Sequence, residues 1–262
     1  MQVTIIGSGN VATVMGRLLA QKGYSIREIY SRNAEHALLL ANQLGAKPVS
    51  DLAQIDRNAD TYLIAVTDDA LPGIAAELSL HDKLVIHTAG SVSKEVLQKV
   101  STNYGVLWPM KMIRKTMTTL EPVTIVVDGS SEPVTRQLRQ LAIQFSPIVT
   151  QADDVTRVKM HLLASLTSNF TNHLYHLAVN YCQAENIDPA SFYPLIEETA
   201  QRIKSTHPKQ LQAGPAFRGD LQTINKHLQL LEKYPDTRKV YKAITESIAS
   251  YFGNIMPEKP GL

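Results

Sequence analysis

Gly7-Ser8-Gly9-Asn10-Val11-Ala12 is a G-x-G-x-x-A sequence, set directly after the apolar run "QVTII" and directly before the helical pattern "NVATVMGRLLAQKG". That spacing suits phosphate chemistry. The first glycine permits a tight turn, the second leaves room for a pyrophosphate to approach the backbone, and the small third residue lets helix and strand pack closely. The first N–H groups of the helix and its dipole favour the anion. Gly7, Ser8, Gly9, Asn10 and Val11 are therefore candidate cofactor-binding residues. An ordinary glycine turn is the alternative, and the strand–turn–helix setting is what favours the cradle.

The end of the next strand selects the cofactor. An NAD site places Asp or Glu there, about 20 residues past the glycines, to hold the ribose hydroxyls. This chain has Tyr30-Ser31-Arg32-Asn33 instead, and its nearest carboxylate, Glu28, falls inside the strand. A carboxylate would repel a 2′-phosphate, whereas Arg32 can pair with it bidentately and Ser31 can donate to it. The expected cofactor is NADP(H).

Three further loops leave the carboxyl ends of predicted strands, where ligands of doubly wound sheets sit. In "AVTDDAL", Val66 and Thr67 are expected near the adenosine ribose and pyrophosphate, with Asp68 or Asp69 capping the helix that follows. In "HTAGSVS", His87, Thr88, Gly90 and Ser91 are expected at the nicotinamide end. His87 is a possible acid or base, with a structural strand-end histidine as the alternative. In "WPMK", Lys111 is expected to meet an anionic group.

The second half carries its own polar set. His161, Ser165, Ser168, Asn169, Asn172 and His176 fall in one sector of a long helical pattern, well round from its leucines. Solvated faces usually carry Lys and Glu, whereas this sector is neutral and hydrogen-bonding, which also suits the wall of a cleft for a small polar ligand. His161 is the candidate proton donor, and Asn169 and Asn172 are candidate orienting groups. Arg218, within "AGPAFRGD", is a candidate clamp for a carboxylate or phosphate, and Asp220 is expected to cap the next helix.

These residues need elements to hold them. The first half alternates apolar strand-like runs ("QVTII", "IREIYS", "DTYLIAV", "KLVIHT", "GVLWP", "PVTIVV", "PIVTQ") with helical patterns, the signature of βαβ units in a doubly wound parallel sheet. From Asp154 no strand is expected. Residues 154 to about 184 read as one helix with an apolar stripe at Val155, Val158, Leu162, Leu166, Phe170, Leu174, Leu177 and Tyr181. Asp188 and Pro189 read as the start of another, and two more follow. The expected domains are 1–152, α/β and dinucleotide-binding, and 153–262, all-α, carrying the substrate cleft and the dimer contact.

Bulk properties narrow the class. A length of 262 residues accommodates two domains. A formal net charge of +2 with scattered basic residues gives no nucleic-acid footprint. Cys182 is the only cysteine, so no intrachain disulfide forms and no metal site is expected; it reads as a buried or partly buried thiol. No run reaches the roughly 20 apolar residues of a membrane helix, and the N-terminus lacks a signal-peptide pattern, so a cytoplasmic location is the default.

Together "GSGNVA", "HTAGSVS", "HLLASLTSNFTNHL" and "GPAFRGD" resemble bacterial Rossmann-like proteins that carry a C-terminal domain of unknown function, DUF2520. These are grouped as NADP oxidoreductases or as similar to F420-dependent NADP oxidoreductase. More distantly, the layout is similar to pyrroline-5-carboxylate reductase and the 6-phosphogluconate dehydrogenase superfamily. The resemblance covers nearly the whole chain. It implies a Rossmann domain, an all-helical second domain and dimerisation through the helices, with no established substrate. Two positions depart from the pattern: Trp108-Pro109 stands where a His-Pro pair is expected, and Lys159 is followed four residues later by Leu163 where the wider superfamily places Asn. The resulting expectation is an NADP(H)-dependent oxidoreductase acting on a small polar substrate. The alternatives are a non-catalytic NADP(H)-binding sensor or partner-binding protein, and an F420-dependent NADP oxidoreductase.

Overall fold

Eight strands form one sheet in the computed structural model, which describes residues 1–253; the end of the expected second domain, 254–262, lies outside the described residues. The strands are β1 (Gln2–Ile6), β2 (Ser25–Tyr30), β3 (Lys47–Val49), β4 (Thr61–Ile64), β5 (His81–His87), β6 (Ser101–Pro109), β7 (Thr124–Gly129) and β8 (Ile148–Gln151). Their spatial order is β3-β2-β1-β4-β5-β6-β7-β8. The order reverses beside β1, as in a Rossmann-type sheet. The chain divides into two compact units, Met1–Asn169 and Phe170–Leu262.

Adjacent residues of β1 show why these runs are strands. Ile5 and Ile6 are both fully buried but belong to different core layers, as a side-chain period of two requires. All four residues of β4 are buried, the pattern of a strand covered on both faces. Helices α1 (Asn10–Gln21), α2 (Ala34–Leu44), α3 (Leu71–Glu77) and α4 (Glu132–Ile143) supply the covers. Local chemistry sets their ends: Asn33 caps α2 by accepting from His36 N at 3.0 Å, and Ser131 caps α4, with Pro133 in its first turn.

Two features depart from the sheet expected of the sequence. β7 runs antiparallel to β6, while every other neighbouring pair is parallel. The connection 110–123 contains no helix to carry the chain back across the sheet, and a parallel return needs such a crossover. β3 is a three-residue edge strand containing Pro48, too short and too polar to give an apolar run.

Helix α5 (Asp154–Ala164) closes the first unit. Val106 and Trp108 of β6, Val126 of β7 and Ala152 form a small apolar layer against which Met160 and Ala164 of α5 pack. Leu107, between Val106 and Trp108, points into the opposite layer.

The described part of the second unit is helical, as expected: α6 (Thr171–Ala184), α7 (Tyr193–Arg202), α8 (Pro208–Leu211), α9 (Pro215–Arg218), α10 (Leu221–Leu230) and α11 (Pro235–Tyr251). Asp188 caps a short 3-10 turn ahead of α7, and Asp220 caps α10, accepting from Thr223 N at 3.0 Å. Cys182 is buried. The stretch read as the loop "AGPAFRGD" contains the single helical turn α9, closed by Gly219.

The expected helix over 154–184 is helical but interrupted. Ser165–Phe170 forms a π turn between α5 and α6. Ser165 Oγ donates to His161 O at 3.1 Å and Thr167 Oγ1 to Leu163 O at 2.8 Å, the back-bonding that loosens a helix. The apolar stripe is largely uncovered: Val155, Val158, Leu162, Leu166, Phe170 and Leu174 are exposed, while Leu177 is buried. Periodicity identifies an apolar face but not what covers it. No described helix is long and apolar enough to cross a membrane.

Candidate functional site

The glycine loop is shaped by its neighbours. Gly7 adopts φ +126° and donates its N–H to Tyr30 O at 2.8 Å. A Cβ at Gly7 would lie 2.2 Å from Ala65 O, so both backbone conformation and space demand glycine. Gly9 is the N-cap of α1 with no side-chain cap, and a Cβ there would meet no protein atom within 4 Å. The first-turn N–H groups of α1 therefore end on an open glycine, the arrangement that accepts an anion. Ala12 is fully buried behind them.

A cleft of about 480 Å³ opens above this loop, within the usual range for ligand sites. Gly7, Ser8, Gly9, Asn10 and Val11 line it from one side, Tyr30, Ser31, Arg32 and Asn33 from the end of β2, and Val66 and Thr67 from the end of β4. Ser8 Oγ donates to Ser31 Oγ at 2.9 Å, which ties the glycine loop to the end of β2. Arg32 is exposed at the rim. Among the described residues no carboxylate lines the cleft. Glu28 is 3% exposed and turned away, accepting from Asp56 N at 2.8 Å and Lys47 Nζ at 3.2 Å. His36, which the sequence reading passed over, also lines the cleft from the first turn of α2.

The loop after β4 differs in detail from expectation. Neither Asp68 nor Asp69 caps a helix. Thr67 precedes the 3-10 turn Asp68–Ala70 without a side-chain cap, and the Asp68 carboxylate instead accepts from Ser91 Oγ. The aspartates sit inside the turn, one residue too late to reach its first N–H groups.

Thr88, Gly90 and Ser91 do not line the cleft of the glycine loop; they follow β5, with Thr88 N donating to Ile64 O at 3.2 Å. His87 at the end of β5 is fully buried, and its Nδ1 accepts from Ala89 N at 3.2 Å. Nδ1 is thus the acceptor, and the proton of the neutral ring sits on Nε2. Burial, followed by the nearby Arg157 charge, pulls its pKa down to about 4. At neutral pH the ring is uncharged and pins the turn, which favours the structural alternative for His87. Among the described residues Lys111 pairs with no acid: its Nζ donates to Leu120 O at 3.0 Å, across the 110–123 connection.

His161, on α5, is half-buried against the segment after β5. Its ring lies 5.5 Å from that of Trp108, tilted by 47°. Gly90 completes the contact: a Cβ there would lie 2.6 Å from both His161 Cδ2 and Trp108 Cε2. Trp108, the departure from the family pattern, is therefore the residue that His161 rests on. Ser165 and Ser168 are half-buried and Asn169 is exposed. In the second unit, Asn172 and His176 are exposed on α6, and Arg218 is exposed at the end of α9. Ser165, Ser168 and Asn169 lie within the π turn Ser165–Phe170, which stands between His161 and Asn172 along the chain.

One cluster escaped the sequence reading. Arg157, one helical turn before His161, is fully buried. Its Nη2 donates to Val92 O at 2.5 Å and to Asp154 Oδ1 at 2.6 Å, and Nη1 lies 3.9 Å from Asp128 Oδ2. Lys94 pairs with the same Asp128 at 2.6 Å. Asp154 also accepts from Ser93 Oγ and from Lys94 N at 3.1 Å. Burial pushes the Asp154 carboxyl up, but these donors outweigh it and hold it below its usual range. In the sequence, Arg157 reads as one polar residue of an amphipathic helix; only the partners, distant along the chain, reveal it.

Fold and site together define the class: NAD(P)-binding, oxidoreductase-like proteins of Rossmann type. Residues 2–91 match the family model of coenzyme F420-dependent NADP oxidoreductase, and residues 123–248 match that of the domain of unknown function DUF2520. The chain belongs to the family that joins these two domains. A Bacteroides fragilis protein described as a candidate NADP oxidoreductase is 33% identical, covers 95% of this chain and 98% of its own, and superposes with a TM-score of 0.85. An imine reductase from Myxococcus stipitatus in complex with NADP+ shares the fold at 15% identity, covering 97% of this chain and 93% of its own, with a TM-score of 0.68. A reductive aminase from Aspergillus terreus, in complex with NADPH and ethyl-5-oxohexanoate, shares it at 14% identity, covering 95% and 94%, with a TM-score of 0.71. The glycerol-3-phosphate dehydrogenase [NAD(P)+] of Leptospira biflexa is 34% identical over 117 residues, which span 38% of this chain and 35% of that enzyme.

Proposed function

We propose that this chain is an NADP(H)-dependent oxidoreductase acting on a small polar substrate. The observation that carries the cofactor assignment is the composition of one cleft. The uncapped start of α1 and the glycine loop share it with Ser31 and Arg32, and among the described residues no carboxylate lines it. A pyrophosphate fits the loop, and a 2′-phosphate fits the end of β2, where a carboxylate would repel it. Ser8, bonded to Ser31, joins the two places. Val66 and Thr67 complete the wall towards β4. When bound, the cofactor supplies hydride transfer; the chain orients it and supplies a proton.

His161 is the proposed proton donor, with Asn169 and Asn172 orienting the substrate and Arg218 clamping an anionic group on it. Thr88, Gly90 and Ser91 are the proposed nicotinamide-side residues. His161 is supported by its half-buried ring, set against Trp108 and Gly90 directly after β5. The uncovered apolar stripe of Val158, Leu162 and Phe170 supports a homodimer formed through these helices.

Thermal unfolding with each nucleotide tests the cofactor assignment. NADPH should raise Tm substantially and NADH much less. Equal shifts, or no shift with NADPH, would overturn it. Turnover against a panel of carbonyls and imines then separates an enzyme from a nucleotide-binding sensor, and a parallel assay with reduced F420 detects deazaflavin dependence. An enzyme loses turnover in His161→Ala or Arg218→Ala while NADPH affinity survives.

A further inference from the structure

We propose that Arg157 is a positioning residue for His161: its buried guanidinium sets the height of α5 on the sheet and thereby seats the imidazole between Gly90 and Trp108. This rests on the reading of His161 as a site residue.

The geometry is a matched pair of contacts. In the β6–β7 pairing, Asp128 lies opposite Val106, and Trp108 is two residues further along β6 on the same face. Two strand residues advance about 6.7 Å. Arg157 and His161 are four residues apart on one face of α5, an advance of about 6 Å. Arg157 faces Asp128 as His161 faces Trp108. The two contacts are therefore in register, and the charged one fixes the aromatic one.

Charge and burial explain why the lower contact is the anchor. A fully buried guanidinium tolerates little displacement, because every lost partner leaves an unpaired charge in low dielectric. Its contacts come from three places: Nη2 donates to the carbonyl of Val92, in the segment after β5, and to Asp154 of its own first turn, while Nη1 stands 3.9 Å from Asp128 of β7, an ion pair without a hydrogen bond. Asp154 in turn receives Ser93 Oγ and Lys94 N. The same cluster thus fixes α5 and the segment that carries Gly90, the two sides of the seat. The upper contact is a packing contact between two rings 5.5 Å apart.

Trp108 is the only tryptophan in the chain, so its emission reports the seat without any assay of turnover. In Arg157→Met the acrylamide quenching constant of Trp108 should at least double and its emission move to longer wavelength. His161→Ala should produce a similar change, and the double variant should add little to either. The rise in Tm induced by NADPH should be retained, because the glycine loop is untouched. Where turnover is measurable, kcat should fall at least tenfold with KM for NADPH unchanged. Arg157→Lys keeps the charge but not the fork, and should fall between. Should Arg157→Met fail to fold, Asp154→Asn and Arg157→Lys carry the same readout. Folded variants with unaltered Trp108 emission would overturn the proposal, as would fully additive effects of Arg157→Met and His161→Ala. A failure of NADPH to bind would instead overturn the proposed function and leave the Trp108 readout standing.

Discussion

The imidazole of His161 and the indole of Trp108 lie 5.5 Å apart with their planes tilted by 47°, and Gly90 is packed so closely against both that no side chain fits there. The tilt is neither a parallel stack nor a perpendicular edge contact. Trp108 and Gly90 thus form the two contacts of the imidazole with the sheet and the segment after β5, and α5 carries the ring to them.

Gly90→Ala should test that packing directly. Its Cβ would sit 2.6 Å from each ring, and neither ring is the end of a flexible chain. Overpacking of this kind costs about 1–3 kcal/mol. Differential scanning calorimetry should show a lower Tm. NADPH should still raise that Tm, since Gly90 lies outside the cleft of the glycine loop, but by less than in the unaltered chain because Gly90 is a proposed nicotinamide-side residue, and any NADPH-coupled turnover should fall.

Arg32→Ala should narrow the discrimination between NADPH and NADH. A charge-assisted contact is worth about 1.5–3 kcal/mol, so NADPH affinity should weaken roughly 10- to 100-fold while NADH affinity stays nearly constant. Isothermal titration with both nucleotides measures the difference. An unchanged ratio would remove Arg32 from the site.

His87 should make the fold sensitive to mild acid. Its folded pKa is lowered to about 4, against about 6.5 unfolded. Between those values the unfolded chain binds the proton and the folded one does not, so stability falls as pH drops from about 6.5 to 4. The full effect is about 3 kcal/mol. Asp154, whose pKa is depressed, adds a loss of the same sign below about pH 4. Urea denaturation from pH 7.5 to 4.5 should show the slope, and His87→Gln, which can still accept from Ala89 N, should largely flatten the upper part of it.

Val158 and Leu162 should report the state of assembly. Both are exposed on the uncovered stripe of α5, at 48% and 59%. Sedimentation equilibrium should give a dimer for the unaltered chain, and the double change Val158→Glu/Leu162→Glu should shift it towards monomer. A monomeric unaltered chain would refute the assembly.

Much of the sheet was legible in the residues because seven of its eight strands fall on short apolar runs, β3 being the exception. The strand–turn–helix at Gly7 to Ala12 and the caps at Asp188 and Asp220 follow from local chemistry alone. The antiparallel return of β7 was not legible, because it depends on the absence of a helix in 110–123 rather than on anything in β7 itself. The π turn was hidden because Ser165 and Thr167 also suit an α-helix.

The candidate site divided in the same way. Gly7 to Val11, Ser31, Arg32, Val66 and Thr67 meet in one cleft because neighbouring parallel strands end on the same edge of the sheet. Arg157 could not be singled out in advance, and Trp108 stood out only as a departure from the family pattern. Their meaning lies in contacts with Asp128 and His161, which come from separate elements and are brought together only by the packing of α5.

Gly7 is held between two strands, its N–H bonded to Tyr30 O and its α-carbon hard against Ala65 O. The curve of the loop is thus dictated by β2 and β4, which complete it when the sheet forms. Ordering of this backbone is a loss of entropy already taken in folding, so an arriving ligand meets amides that are aimed beforehand, and its association is spared that loss.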